Sequence, residues 1–168
     1  MPIQDFKIYT AKGYEGELVD SGPRVIQTGI LVGGDVGFGK AVQRDGSVER
    51  GVAVGSTEIG TTDTTNVFAL TQREYNHEAG SRPSTGNDTV YRETESVSLI
   101  RQGYLYVKLR DHPATMGESL VIEEATGIVV GGAAGAGTVA GESAAVNITA
   151  DEDGIAGDVI KARIDIVA

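Results

Sequence analysis

The sequence predicts an all-β fold: a small antiparallel β-barrel or β-sandwich with an extended N-terminal arm and long glycine-rich loops. Three observations predict it. No window carries a sustained 3.6-residue apolar stripe with helix caps. Residues 95–109, ESVSLIRQGYLYVKL, alternate in a period of two, which puts one set of side chains on a buried face and the other on an exposed face. The 24 glycines, against only 4 prolines, punctuate the chain at short intervals, as turns between short strands do. The domain division that follows is an arm over residues 1–12 and a single β domain over residues 13–168.

Taken in order, residues 1–12 alternate weakly through Ile3, Phe6 and Ile8 and read as an extended arm ending in a short strand. Gly13, Gly16 and Ser21-Gly22-Pro23 break the next stretch into turns. Residues 24–31, RVIQTGIL, are a strand candidate, and Gly33-Gly34-Asp35 turns the chain. Residues 38–44, FGKAVQR, read as a strand closed by Asp45-Gly46, a hairpin signal. Residues 48–54 form another short strand. Residues 58–66 are polar and predict a loop, and residues 67–75, VFALTQREY, alternate as a strand. Residues 76–88, NHEAGSRPSTGND, are the most loop-like segment, followed by a short edge strand over residues 89–92.

Residues 95–109 then predict a β-hairpin. Val97 and Leu99 line one arm, and Leu105, Val107 and Leu109 line the other. The turn falls at Arg101-Gln102-Gly103, where glycine is free to take positive φ. His112-Pro113 ends the strand, because a residue before proline is held extended. Residues 119–124 and 127–130 form a second hairpin around Ala125-Thr126. Residues 131–141, GGAAGAGTVAG, are low in complexity and predict a mobile loop. Residues 143–150 read as a strand, Asp151-Glu152-Asp153-Gly154 as an acidic turn, and residues 158–167 as the closing strand.

Composition bounds the function. A chain of 168 residues suits one domain and buries roughly 68–70% of its unfolded surface, enough for a core without staples. The absence of cysteine excludes disulfides, thiolate metal sites and a cysteine nucleophile. The first residues lack a basic region followed by an apolar run, so no secretory signal is expected. No apolar stretch approaches the roughly 20 residues of a membrane helix. The expectation is a soluble protein made in the cytosol, without a membrane partner. A net charge of -10 repels phosphate backbones, which argues against a nucleic-acid partner and suits a protein present in many copies.

No motif assembles a catalytic, cofactor or metal site. Residues 34–40, GDVGFGK, approach the phosphate loop, but Ala41 stands where the magnesium-binding hydroxyl belongs, and a strand follows instead of a helix. Residues 135–140 fit a relaxed dinucleotide pattern but lack the strand–helix–strand context. Asp151-Glu152-Asp153-Gly154 begins like a calcium loop, with the glycine two positions early and no closing glutamate. His77 and His112 are the only histidines and have no partner at ligand spacing. Ser96 and Ser98 lie on a strand without a nucleophile elbow.

Three stretches carry a family resemblance. GYEGELVDSG at residues 13–22, followed by a strand and Phe38-Gly39-Lys40-Ala41-Val42, resembles a "Y-x-G-x-x-x-D" segment followed by "F-G-x-A-V". Residues 67–75, leading after a polar loop into residues 88–107, are similar to a "G-I-T-x-R" strand and a "V-S-V-x-x-x-G-x-x-x-V" hairpin. Met116-Gly117-Glu118-Ser119-Leu120-Val121, followed by Ala125-Thr126-Gly127-Ile128, is similar to a "G-D-x-V-Y-V" and "T-G" pair. Together these resemble the structural cement (capsid decoration) proteins of tailed bacteriophages, from Tyr14 onward.

The resemblance implies a non-enzymatic virion protein, synthesised in the host cytoplasm. It would bind the outer surface of the expanded capsid over contacts between major capsid protein subunits. It implies self-association, a homotrimer being favoured over a dimer. Interface candidates are the arm residues Pro2, Ile3, Phe6, Ile8 and Tyr9, because extended arms add strands to a neighbour's sheet edge. Arg73, Tyr75, His77 and Arg82, in and beside the loop at 76–88, follow because Tyr and Arg dominate interface hot spots. The loop at 131–141 is a third candidate, ordering on binding. The rivals are a tail or fibre-associated module and a β-barrel carbohydrate-binding module. The absence of Trp disfavours the second, since sugars stack on aromatics.

Overall fold

The computed structural model describes residues 13–19, 22–55, 57–58, 64–73, 90–136 and 140–166. The chain is all-β, as its alternation and turn spacing predict. In order, the strands are β1 (Val25–Val32), β2 (Val36–Gly37), β3 (Ala41–Arg44), β4 (Gly51–Val54), β5 (Thr57–Glu58), β6 (Thr64–Asn66) and β7 (Ala69–Thr71). They continue as β8 (Val90–Tyr91), β9 (Ser96–Lys108), β10 (Ser119–Glu123), β11 (Val129–Gly132), β12 (Glu142–Ala150) and β13 (Val159–Asp165). A single helical turn, α1 (Ala133–Ala136), follows β11.

Among the described residues, eleven strands share one mixed sheet in the order β1-β4-β3-β7-β9-β13-β12-β10-β11, with β6 pairing β12 and β5 pairing β6. β1 also pairs with β9, so β1, β4, β3, β7 and β9 close a circuit of pairings. Most pairs are antiparallel, as expected. β1 with β4 and β12 with β6 run parallel, because long excursions return the chain in the same direction.

Two apolar cores share one wall. β3, β7 and β9 present neighbouring residues to opposite sides. Val42, Ala69 and Leu99 join Leu31, Val52 and Val97 in one core, which Phe38 and Tyr91 complete by edge-to-face contact at 5.4 Å. Ala41, Leu70 and Ile100 join Leu105, Leu120, Ile148, Ile160 and Ile164 in the other. Each fully buried Leu or Ile contributes on the order of 1.5–3 kcal/mol.

The hairpin expected at residues 95–109 is instead one 13-residue strand, β9. Its first half pairs with β1 and its second with β13, so each half finds a partner without turning back. The irregularity read as a turn is a bulge: Val25 pairs with Gln102 and the next residue, Ile26, with Ile100. Leu99 and Ile100, just before it, alternate to opposite faces and are both buried, one in each core. Gly103 has a positive φ of 128° and is buried within the strand.

Other expectations are corrected locally. The strand expected at 38–44 starts at Ala41, since Phe38-Gly39 forms a turn. The polar loop expected at 58–66 contains the paired strands β5 and β6. The first part of the expected mobile loop at 131–141 is ordered: Gly131 and Gly132 are buried in β11, and α1 follows. Its glycines reflect close packing rather than disorder. A Cβ on Gly131 would lie 2.5 Å from His112 Cβ, and one on Gly132 2.2 Å from Glu118 Oε2. The hairpin around Ala125-Thr126 forms as expected from β10 and β11. The arm at 1–12 and the loop at 76–88 lie outside the described residues.

Candidate interaction surface

Of the interface candidates read from the sequence, only Arg73 is among the described residues; Pro2, Ile3, Phe6, Ile8, Tyr9, Tyr75, His77 and Arg82 lie outside them. Arg73 is half-buried and clamps the start of the described chain. Its amide donates to the Gly16 carbonyl at 2.6 Å, and its Nη1 donates to the Glu15 carbonyl at 3.3 Å. Its guanidinium sits 5.1 Å from the ring centroids of both Tyr14 and Phe38. Beside it, Lys40 Nζ pairs with Glu15 Oε1 at 2.5 Å. The Lys40 of the near-phosphate-loop motif is thus held by a carboxylate. The Tyr91 hydroxyl donates to the Gln72 carbonyl at 2.7 Å, joining the two sides of the 74–89 segment. Residues 13–16 and Arg73 lie side by side, so the points where the arm and that segment join the described fold are neighbours.

A second surface was not legible from sequence motifs. Between β1 and the turn leading into β4 lies an open groove of ≈ 380 Å³, lined by Thr28, Gly29, Arg44, Arg50, Val52 and Phe68 among others. It exists because β1 pairs with β4 only from Ile30 to Val32, while residues 25–30 pair with β9. The Arg44 guanidinium stacks 4.9 Å from the Phe68 ring centroid and that of Arg101 at 4.7 Å. Arg101 is fixed from behind, its Nε donating to the Phe68 carbonyl at 3.2 Å and its Nη2 to the Ile166 carbonyl at 3.0 Å. Arg50 occupies the left-handed region at φ 59°. The available sequence signal was two arginines flanking one turn in a strongly acidic chain.

A third cluster binds elements together. Arg110 pairs with Asp111 at 2.6 Å, Glu123 at 2.9 Å and Glu142 at 3.1 Å. Hydrogen bonds that the guanidinium donates to Asp111 and Glu123 hold its pKa above the usual value. The Thr126 hydroxyl, and then Arg110, hold the Glu123 carboxyl below the usual glutamate value. Lys161 is likewise raised by Asp151 at 2.5 Å. His112 is half-buried and Ser98 Oγ donates to Gln72 Oε1 at 3.3 Å. Among the described residues no group of three or more His, Asp or Glu is placed to hold a metal ion.

These features define an all-β protein whose built geometry lies in surfaces and strand edges. Residues 1–165 match the family described as "Structural cement protein (E217 gp24/Pam3 gp6)", and the chain belongs to this family of phage structural cement proteins. The resemblance carried by the turn-and-strand stretches is borne out. Among solved structures, a chain from "The capsid of Myoviridae Phage XM1" is similar in fold, with a TM-score of 0.63 at 14% identity. That match covers 93% of this chain and 92% of the other. No curated protein matches. The protein is a virion structural protein.

Proposed function

We propose that this protein binds the outer surface of the expanded phage capsid and bridges neighbouring major capsid protein subunits, without catalysing a reaction. The observation that carries this reading is the family match over residues 1–165. The acidic charge supports the outer face, since a net charge of -10 disfavours contact with packaged DNA. A protein that binds the expanded shell and neither its immature form nor its free subunits stabilises that shell by linkage. Bridging several subunits multiplies a modest contact energy. The protein acts as a homo-oligomer, a trimer in preference to a dimer, with neither nucleic acid nor membrane as partner. The arm at 1–12 and a single β domain at 13–168 remain the working division, the closed circuit of strands being a small barrel within it.

Co-sedimentation with expanded and with immature shells of the encoding phage tests the proposal. Saturable binding to expanded shells alone is expected. A folded protein that binds neither would redirect the search to the tail.

A further inference from the structure

We infer that the open edge of β1, together with Arg44 and Arg50, is a docking groove for an extended, carboxylate-bearing segment of the capsid subunit. The inference rests on the shell-binding reading and names the chemistry of one contact within it.

The edge is the first observation. The Ile30 amide donates to the Arg50 carbonyl at 3.0 Å, so it points away from β9 and toward β4. In an antiparallel pair, bonding direction alternates along the strand. Thr28 therefore points its amide and carbonyl the same way as Ile30, but β4 has already diverged, and no described strand pairs with it there. An added strand meets this edge with its main chain and reads its surroundings with alternate side chains. Ile26 and Ile30 are exposed along the same strand, at 42% and 37%, offering apolar contact beside the hydrogen bonds.

Charge selects the occupant. In a chain of net charge -10, the groove carries two guanidiniums, and among the described residues neither Arg44 nor Arg50 makes an ion pair. Arg110, Lys40 and Lys161 are instead each paired with a carboxylate. Arg44 is already held against Phe68, so little side-chain freedom is lost when it meets a carboxylate. A nucleic acid, with its long run of phosphates, would meet the same arginines but also a chain of net charge -10, which leaves a single protein carboxylate as the fitting partner.

Backbone strain is the third, independent observation. Arg50 is one of only two non-glycine residues with positive φ among the described residues, and Gly51 stands next to it. A glycine at position 50 would adopt this conformation without penalty. Strained positions of this kind concentrate at binding sites, where the side chain they carry is used.

The test is binding of Arg50→Gly, Arg44→Gln and the double variant to expanded shells across a salt series, with thermal melting of each free protein. Arg50→Gly removes the guanidinium while relieving the strain, so it is expected to melt at or above the wild-type temperature yet bind shells about tenfold more weakly. The double variant is expected to bind more weakly still, with a shallower salt dependence. Wild-type protein that saturates shells while the double variant binds equally well, with the same salt slope, overturns the inference and leaves the shell-binding reading intact. Variants that lose self-association while keeping shell affinity also overturn it, because a second copy would then be the occupant. Wild-type protein that fails to bind shells removes the shell-binding reading itself.

Discussion

Ala114 and Gly154 exchange both backbone hydrogen bonds, at 2.9 Å from the Ala114 amide and 3.0 Å from the Gly154 amide. This bridge is the centre of an internal two-fold relation. On one side the Gly117 amide donates to the Ala150 carbonyl, and on the other the Gly157 amide donates to the Leu109 carbonyl, both at 2.8 Å. Each turn is closed by a carboxylate. The Thr115 amide donates to Glu118 Oε2 at 2.8 Å, and the Ile155 amide to Asp158 Oδ2 at 3.2 Å. The strands then cross over: β10, which follows the first turn, pairs with β12, and β13, which follows the second, pairs with β9. Two strand–turn–strand units therefore interlock, and neither half completes its sheet alone.

The same carboxylate-closed turn recurs at Tyr14 to Glu17 and at Arg92 to Glu95, each with a 2.8 Å bond from the first amide to the last side chain. Its third residue has positive φ and is Gly16, Gly117 or Gly157 in three copies, but Thr94, at φ 71°, in the fourth. A β-branched residue is strained there. Thr94→Gly is expected to stabilise the protein by about 1 kcal/mol, read as a higher urea midpoint at unchanged slope. A lower midpoint would show that the Thr94 side chain contributes more than its backbone costs.

Ile100 distinguishes a strand walled between two cores from one with a solvent face. If only the Leu99 face of β9 were covered, Ile100 would lie in solvent, where truncation costs little. Because β9 is a wall between two cores, its other face is buried too, and Ile100 lies completely inside the larger core. Ile100→Ala is therefore expected to cost about 2–5 kcal/mol in denaturant unfolding. A loss within about 0.5 kcal/mol would match a surface position and contradict a wall shared by two cores.

Acid titrates the clamp between β10 and the turn that follows it. The folded-state pKa of Glu123 is held below the ordinary 4.5 by Thr126 and then by Arg110. Its contribution is thus fully present above about pH 4.5 and is lost as pH falls through the lower folded-state value. Glu123→Gln is expected to be less stable than wild type at pH 7, with the two unfolding midpoints converging as the pH drops below 4.5. A gap that stays constant from pH 7 to pH 3 would sever the link between this carboxylate and acid stability.

How far the sequence speaks depends on the range of the interaction that decides each feature. The all-β class, β1, the β10–β11 hairpin, β12 and β13 are legible because alternation and turn residues are local signals. β9 is misread because Gly103 satisfies a turn rule locally, while the choice between turn and bulge is made by distant β1 and β13. Gly131 and Gly132 look like a flexible run, yet His112 and Glu118 press against them from elsewhere in the chain. Turn chemistry is written in Gly117-Glu118 and Gly157-Asp158, but their pairing through Ala114 and Gly154 is a tertiary fact. The groove was invisible for the same reason: Arg44, Arg50, Phe68 and Thr28 meet only when β1 parts from β4. The family, by contrast, was readable from turn-and-strand stretches, because the same local turn signals recur in its members.

The most direct measurement is calorimetry of expanded shells with and without saturating protein. A cement that bridges capsid subunits raises the temperature of shell dissociation, with the rise following occupancy and levelling at saturation. An unchanged shell transition at full occupancy would contradict the cement role, leaving a protein that decorates the capsid without holding it together.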